Sequence, residues 1–416
     1  FVCISASGAF ADTNDISRLD SYNKLRKIIG TIEANYVDPL TLDEIINRAI
    51  EGLMSNLDAH SAYLNERKFE DLTIQTNGEF GGVGITIALK DGSITIIAPV
   101  EGSPGDKAGL KSGDVILKIN EESTLNMSLD DAVSKMRGKP NTKVQLTVVR
   151  KDAPNPLVFD IVRDNIKLES VYAKMIENTN YAYVRVTSFD KRVASRVEEE
   201  LKKIKPLDGV ILDLRSNPGG LLNQAVELSD LFIKQGVIVT QKGRSKDDTI
   251  VYSASSRTPF EKVPLVVLVN NGSASASEIV AGALQDYKRG IILGETTFGK
   301  GSVQVILPTE KKEALRLTIA RYYLPSGRTI QAVGVTPDIK VLPGVVPSND
   351  NAFSVKESDL KKHLEGELEK VSPANQNQNK DKKRDKNKEI TTAEVMNDIQ
   401  LKSAIDALKT LGIVRE

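Results

Sequence analysis

The sequence predicts an α/β (α+β) multidomain protein: an N-terminal helical segment, a β-rich module, an α/β core and a helical tail. Three observations carry this. The chain has 416 residues, room for roughly two to four domains of ~100–200 residues each. From residue 170 onward, buried strands alternate with amphipathic helices, as in an α/β core. Between 78 and 164, short strands and glycine-rich turns follow one another around a single helical stretch, as in a small β module.

Composition narrows the chemistry before any motif is read. The chain carries 56 Lys+Arg against 56 Asp+Glu, one cysteine (Cys3) and two histidines, His60 and His363. A Cys/His zinc site and an intrachain disulfide are therefore ruled out. A Ser-His-Asp triad has only His60 or His363 as its base, and both read as structural or solvated. Balanced charge gives no whole-molecule attraction to nucleic acid. Proton chemistry is left to carboxylates and lysines, and neither a metal nor a cofactor is expected.

Residues 1–11, FVCISASGAFA, read as the remnant of a secretory signal ending in an A-x-A pattern, which predicts an exported, periplasmic protein. A frayed apolar terminus is the alternative. Residues 12–77 form the helical segment. Leu25, Ile28, Ile29 and Ile32 mark one apolar face, Pro39 breaks the pattern, and Thr41–Glu44 is a capping box ahead of Ile45, Ile46, Ala49, Ile50 and Leu53. So small a segment needs a neighbouring domain or a second subunit to pack on, which leaves open a homodimer or larger homo-oligomer through the terminal helices. Residues 346–416 read as a disordered linker with a basic run, KDKKRDKNKE, followed by an amphipathic helix through Leu401, Ile405 and Leu408. Weak contact of the basic run with an anionic membrane surface is the alternative to plain solvation. The helix needs something to dock on.

The module at 78–164 opens with Gly81-Gly82-Val83-Gly84-Ile85. A dinucleotide loop is excluded, because its third glycine would fall on Ile87 and no helix follows. The core spans 165–345. There the strand 209–214 runs into Ser216-Asn-Pro-Gly-Gly220 and a helix, and the strand 264–269 runs into Asn270-Asn-Gly-Ser-Ala-Ser-Ala-Ser-Glu278 and a helix. Amides at a helix start suit an oxyanion, and a serine there lies at the positive end of the dipole. Simple capping by these serines is the structural alternative, with Glu278 favourable in the first turn. Further on, Gly294-Glu-Thr-Thr-Phe-Gly-Lys300 mimics a phosphate loop, but Gly301 replaces the required Ser/Thr and a strand follows. A serine hydroxyl without a histidine can use a neutral lysine. Lowering a lysine pKa from about 10.4 to near neutrality costs ~5 kcal/mol, a size burial can supply. Lys300 is a candidate, with a solvated turn lysine as the alternative.

Two resemblances sharpen this. GGVGI followed by SPGDKAGLKSGDVILKIN resembles a PDZ domain of the variety fused to bacterial proteases. That resemblance implies that Gly82, Val83, Gly84 and Ile85 receive a substrate C-terminus, with the adjoining strand edge pairing to the peptide. NNGSASASEIVAGALQDYKRGIILGETTFGKGSVQ, with DLRSNPGG, PSGRTIQAVGVTPDI and LDAHSAYL, resembles the C-terminal processing peptidases, Ser-Lys proteases of peptidase family S41. The likeness covers residues 20–345, and Ala59 departs from the proline usual in the last motif. It implies a ClpP/crotonase-like core in which Ser275 is the nucleophile, Lys300 the general base and Gln304 the residue orienting the lysine. Ala276 with Gly219 or Gly220 would bind the oxyanion, and Ser273 and Ser277 remain capping candidates. Arg215 and Asp286 read as structural. Substrates would be proteins or peptides with exposed C-terminal tails. A non-catalytic PDZ scaffold and a crotonase-like acyl-CoA enzyme are the rival readings.

Overall fold

A computed structural model describes residues 15–309, 312–347 and 389–415. The signal-like segment, His363 and most of the linker lie outside these residues. The chain divides into two compact units, one made of residues up to 70 with 303–320, the other of 71–302 with 321 onward.

In the first unit, helices Asp15–Asn35 and Leu42–Ser55 flank the Pro39 break. The capping box forms as its spacing predicts: the Thr41 N–H donates to Glu44 Oε2 at 2.7 Å, and the Glu44 N–H to Thr41 Oγ1 at 3.3 Å. Strand Ala62–Leu64 pairs antiparallel with strand Ala314–Tyr323, Ala62 opposite Arg316, and strand Ser302–Pro308 also pairs with Ala314–Tyr323. Ile45, Met54, Tyr63, Leu64 and Ala314 are buried. On the first helix, by contrast, Leu25, Ile28 and Ile32 stay exposed. A lone two-helix pair cannot cover the whole stripe.

The second unit contains the β module and the α/β core. The module is a six-stranded antiparallel sheet closed by helix Leu129–Met136 over Ile94, Ile96, Ile116, Ile119, Leu146 and Val148. Strand Ile85–Lys90 lies at its edge, paired among the described residues only with Ser93–Pro99, and the helix packs beside it.

The core sheet runs in the order Ile339–Lys340, Ile291–Gly294, Leu265–Val269, Gly209–Asp213, Tyr181–Val186, Val171–Ile176, Glu389–Ile390. All neighbours are parallel except Val171–Ile176 against Tyr181–Val186. Central parallel strands are covered on both faces, so their side chains read as unbroken apolar runs. Ile211, Val266, Leu268 and Leu293 face Leu401, Ala404, Ile405 and Leu408 of helix Ile399–Arg415. Alternation sends Val210, Leu212, Val267 and Val269 to the other face, on the side of helices Val193–Lys203, Leu222–Asp230 and Ala276–Asp286.

The C-terminal helix thus docks on the chain's own sheet. Its segment also supplies a parallel edge strand, Glu389–Ile390, that the linker-like composition did not announce. A polar clasp secures it. Arg215, at the end of strand Gly209–Asp213, binds Asp213 at 2.6 Å and reaches Asp398 at 2.8 Å and Gln400 at 2.9 Å. Leu408 is almost fully buried beneath the sheet. Leu408→Ala is expected to lower stability by about 2–4 kcal/mol in urea unfolding, from lost burial plus the cavity left behind.

Candidate active site

The two loops singled out by the sequence leave the C-terminal ends of adjacent strands, Gly209–Asp213 and Leu265–Val269. Fully buried Asn217 pins them together. Its carbonyl accepts the Ala274 N–H at 3.0 Å and the Ser277 hydroxyl at 2.9 Å, while its side chain donates to Val186 O at 2.8 Å. Ser273 Oγ donates to Leu214 O at 2.8 Å. Ser273 and Ser277 therefore do not cap the helix. Their hydroxyls point back at carbonyls of the neighbouring loop, Leu214 O and Asn217 O.

Ser275 itself stands at the N-cap of helix Ala276–Asp286, with φ 56° and ψ −110°. A side chain rarely adopts this backbone, and such strain persists only where surrounding contacts enforce it. The enforcing group is Glu278. Its buried carboxylate accepts the Ser275 N–H at 2.8 Å and the Lys300 N–H at 2.8 Å on Oε2. On Oε1 it accepts the Gly299 N–H at 2.7 Å and the Thr297 hydroxyl at 2.6 Å. Phe298 N–H adds a bond to Ser273 O at 3.0 Å. The serine loop and the lysine loop are thus tied main chain to main chain through one carboxylate.

Gly219 lies against the serine. A Cβ there, at φ 101°, would sit 2.9 Å from Ser275 Cβ and 2.8 Å from Ala274 O, so only glycine fits. Its own N–H donates to Asn217 Oδ1 at 2.8 Å. The N–H groups of Ala276 and Gly220 donate to no acceptor among the described residues. Ser275 is only 8 % exposed. Burial pushes the neighbouring Tyr322 phenol up to about 12, against a hydrogen bond from Ser275 that lowers it, so Tyr322 is neutral at physiological pH.

The lysine loop is held from the other side as well. Gly299 O accepts the Ala332 N–H at 2.8 Å, Gly301 N–H donates to Gln331 Oε1 at 3.0 Å, and Gly301 O accepts the Tyr322 N–H at 2.8 Å. The motif PSGRTIQAVGVTPDI therefore buttresses the half-buried Lys300. Asp286, at the end of the serine helix, binds Arg328 at 3.0 Å and the Ser326 N–H at 2.9 Å, anchoring the same segment. Gln304 belongs to the first unit, where its Nε2 donates to Thr318 Oγ1 at 3.2 Å. His60 is engaged there through its main chain, its N–H on Asp58 and its carbonyl on Arg316.

In the β module, Val83 O accepts the Gly105 N–H at 2.7 Å, and Gly84 O accepts the Val100 N–H and the Ser103 hydroxyl, each at 2.8 Å. Gly84 has φ 73°, and a Cβ would lie 2.3 Å from Ser103 Cβ. With these carbonyls engaged, the N–H groups of Val83 and Gly84 donate to no acceptor among the described residues. Gly82 pairs with Asp164, and Ile85 opens the edge strand. Among the described residues, no three His, Cys, Asp or Glu side chains gather to hold a metal ion.

Sequence reasoning missed two groups, Glu278 and Asn217. Glu278 was read only as a favourable first-turn charge, yet the spacing Ser275-x-x-Glu278 is a capping-box signal that pointed to it. Asn217 carried no signal beyond a turn residue.

A glycine-looped β module joined to an α/β core with a strained serine elbow at its strand ends defines a PDZ-bearing peptidase. The family model for peptidase family S41 matches residues 180–341, and that for the PDZ domain residues 71–149. The chain is 39% identical over 361 residues to the carboxy-terminal-processing protease of Bartonella bacilliformis, covering 84% of this chain and 82% of the relative. It is 36% identical over 322 residues to the carboxy-terminal processing protease CtpA of Bacillus subtilis, covering 77% and 68%. Among solved structures, the photosystem II D1 C-terminal processing protease matches at 28% identity, covering 79% of this chain and 88% of that one, with a TM-score of 0.46. The chain belongs to peptidase family S41, the carboxy-terminal processing serine proteases, and carries a PDZ domain.

Glu278→Gln would turn an amide NH2 toward two of the four donors. It is expected to cost about 2–4 kcal/mol in chemical unfolding, whereas Ser277→Ala, which leaves Asn217 O with a second donor, should cost about 1 kcal/mol.

Proposed function

We propose that the protein is an endopeptidase working through a Ser275–Lys300 dyad and cleaving exported proteins near their C-termini. The observation that carries this reading is the Glu278 carboxylate joining the main chains of Ser275 and Lys300. Neutral Lys300 Nζ takes the Ser275 hydroxyl proton as Oγ bonds to the scissile carbonyl carbon. Negative charge develops on the carbonyl oxygen, and the Ala276 amide is best suited to receive it, with Gly219 or Gly220 as partner. The Gly219 N–H is already spent on Asn217, which favours Gly220. As the C–N bond breaks, the lysine ammonium gives its proton to the leaving amine. Water, deprotonated by the same amine, then attacks the acyl carbon, and as the bond to Oγ breaks the lysine ammonium returns the proton to Ser275. Gln304 orients the lysine amine in this reading, a role that rests on the family resemblance.

The PDZ module is the tail reader. Amides at Val83 and Gly84, between Gly82 and Ile85, suit a terminal carboxylate, and the edge strand Ile85–Lys90 suits an added peptide strand. Occupancy of that groove would gate the protease site. Export rests on the signal-like residues 1–11, which lie outside the described residues. No helix among the described residues is long and apolar enough to cross a membrane. The exposed stripe Leu25, Ile28 and Ile32 is the face through which a homo-oligomer would form. The domain limits 12–77, 78–164, 165–345 and 346–416 remain our proposal for the functional division.

Two experiments test this. Ser275→Ala and Lys300→Ala are expected to slow cleavage of a tail-bearing peptide by about a thousandfold or more. Near-normal rates in either variant would refute the dyad. Converting the substrate's terminal carboxylate to a carboxamide should raise KM about tenfold in the intact protein, since one charge-assisted contact is lost. In a variant lacking 78–164 the carboxylate and carboxamide substrates should behave alike. Equal KM values in the intact protein would remove the tail-reading role.

A further inference from the structure

We propose that Asp58 and Thr318 are positioning residues that fix which way round the Gln304 side-chain amide stands. The inference rests on the reading of Gln304 as the residue that orients the catalytic amine. An amide's oxygen and nitrogen ends are nearly identical in shape, so only hydrogen-bond partners decide which end faces where.

The partners here form a one-way chain. Asp58 Oδ1 accepts from the His60 N–H at 2.7 Å, the Ser61 N–H at 2.8 Å and Thr318 Oγ1 at 3.2 Å, and Oδ2 accepts the Ser61 hydroxyl at 2.7 Å. Burial raises the Asp58 carboxyl, but the hydrogen bonds from Ser61, His60 and Thr318 outweigh it and hold the group at about 2. It is therefore ionised at any working pH and can only accept. Thr318 has a single hydroxyl proton, and Asp58 takes it. Ser61 cannot provide a substitute: its own proton goes to Asp58, and its oxygen accepts the Thr318 N–H at 3.1 Å.

Thr318 Oγ1 is thus left as an acceptor on the side facing Gln304, and the Gln304 end that meets it, at 3.2 Å, must be Nε2. The carbonyl end, Oε1, is directed away from Thr318. An oxygen so presented accepts from an amine or ammonium, whereas a reversed amide would present NH2, which opposes an ammonium and occupies the lone pair that a neutral amine needs as a base. The chain also gives a function to the segment LDAHSAYL. Its Asp58 and Ser61 set the polarity of an amide more than about 240 residues further along the chain, across the pairing of strand Ala62–Leu64 with strand Ala314–Tyr323.

The test is steady-state cleavage of a tail-bearing reporter peptide by the full chain and by Gln304→Ala, Thr318→Val, Thr318→Ser and the double variant Gln304→Ala/Thr318→Val. Valine keeps the shape and strand propensity of threonine but removes the relay. We expect Thr318→Val to lower kcat about tenfold with KM within about twofold, Thr318→Ser to restore it, and the double variant to match Gln304→Ala alone. Asp58→Asn, whose amide can donate to Thr318, should reproduce the kcat loss if the valine variant does not fold. An impaired Gln304→Ala beside a normal Thr318→Val or Asp58→Asn overturns the relay alone, as do losses that multiply in the double variant. A normal rate for Gln304→Ala removes the Gln304 reading and the relay together.

Discussion

The carboxylate of Glu278 takes hydrogen bonds from the main chains of Ser275, Gly299 and Lys300 and from the Thr297 hydroxyl, and it does so out of contact with water. A buried ionised carboxylate is costly unless its lone pairs are filled, and here four donors fill them. Those donors come from two loops that meet only in the folded core. The charge can be satisfied only when both loops are in place. Misplacing either one leaves a charge short of partners, so the arrangement resists small errors in a way that apolar packing does not. The positive φ of Ser275 is sustained by the same bonds.

Around that centre, the motif residues divide into groups that face chemistry and groups that hold strand ends together. Asn217 joins the two loops, and Asp286 and Arg328 join the serine helix to the segment that buttresses Lys300. Arg215 does the same for the C-terminal segment, between Asp213 and Asp398. In the motif DLRSNPGG one run of residues thus serves two tasks: Arg215 clasps the tail and Gly219 backs Ser275.

Much of this was legible in the sequence. The capping box at Thr41, the edge strand after Gly84, the parallel strands 209–213 and 265–269 and the strand after Gly301 all appear where local periodicity and turn residues put them. What was not legible involved partners far apart in sequence. The serines at 273 and 277 have the composition of helix caps, but their hydroxyls bond carbonyls about sixty residues away. Glu278 looked like a first-turn charge because its other donors lie at 297–300. The tail after 345 looked detachable, since nothing local says that Glu389–Ile390 will extend a sheet begun at Val171.

By itself, the sequence narrowed which chemistry was open: two histidines and one cysteine left proton transfer to carboxylates and lysines, and the order of motifs pointed to a PDZ-bearing peptidase. It also determined the elements, because hydrophobic period and capping are local properties. Only the tertiary structure decided how the serine and lysine loops are tied, which amides stay uncommitted, and what the C-terminal helix covers. Those outcomes depend on pairing buried polar groups across the core. Such pairing is set by where strand ends meet in space, and no window of neighbouring residues contains that information.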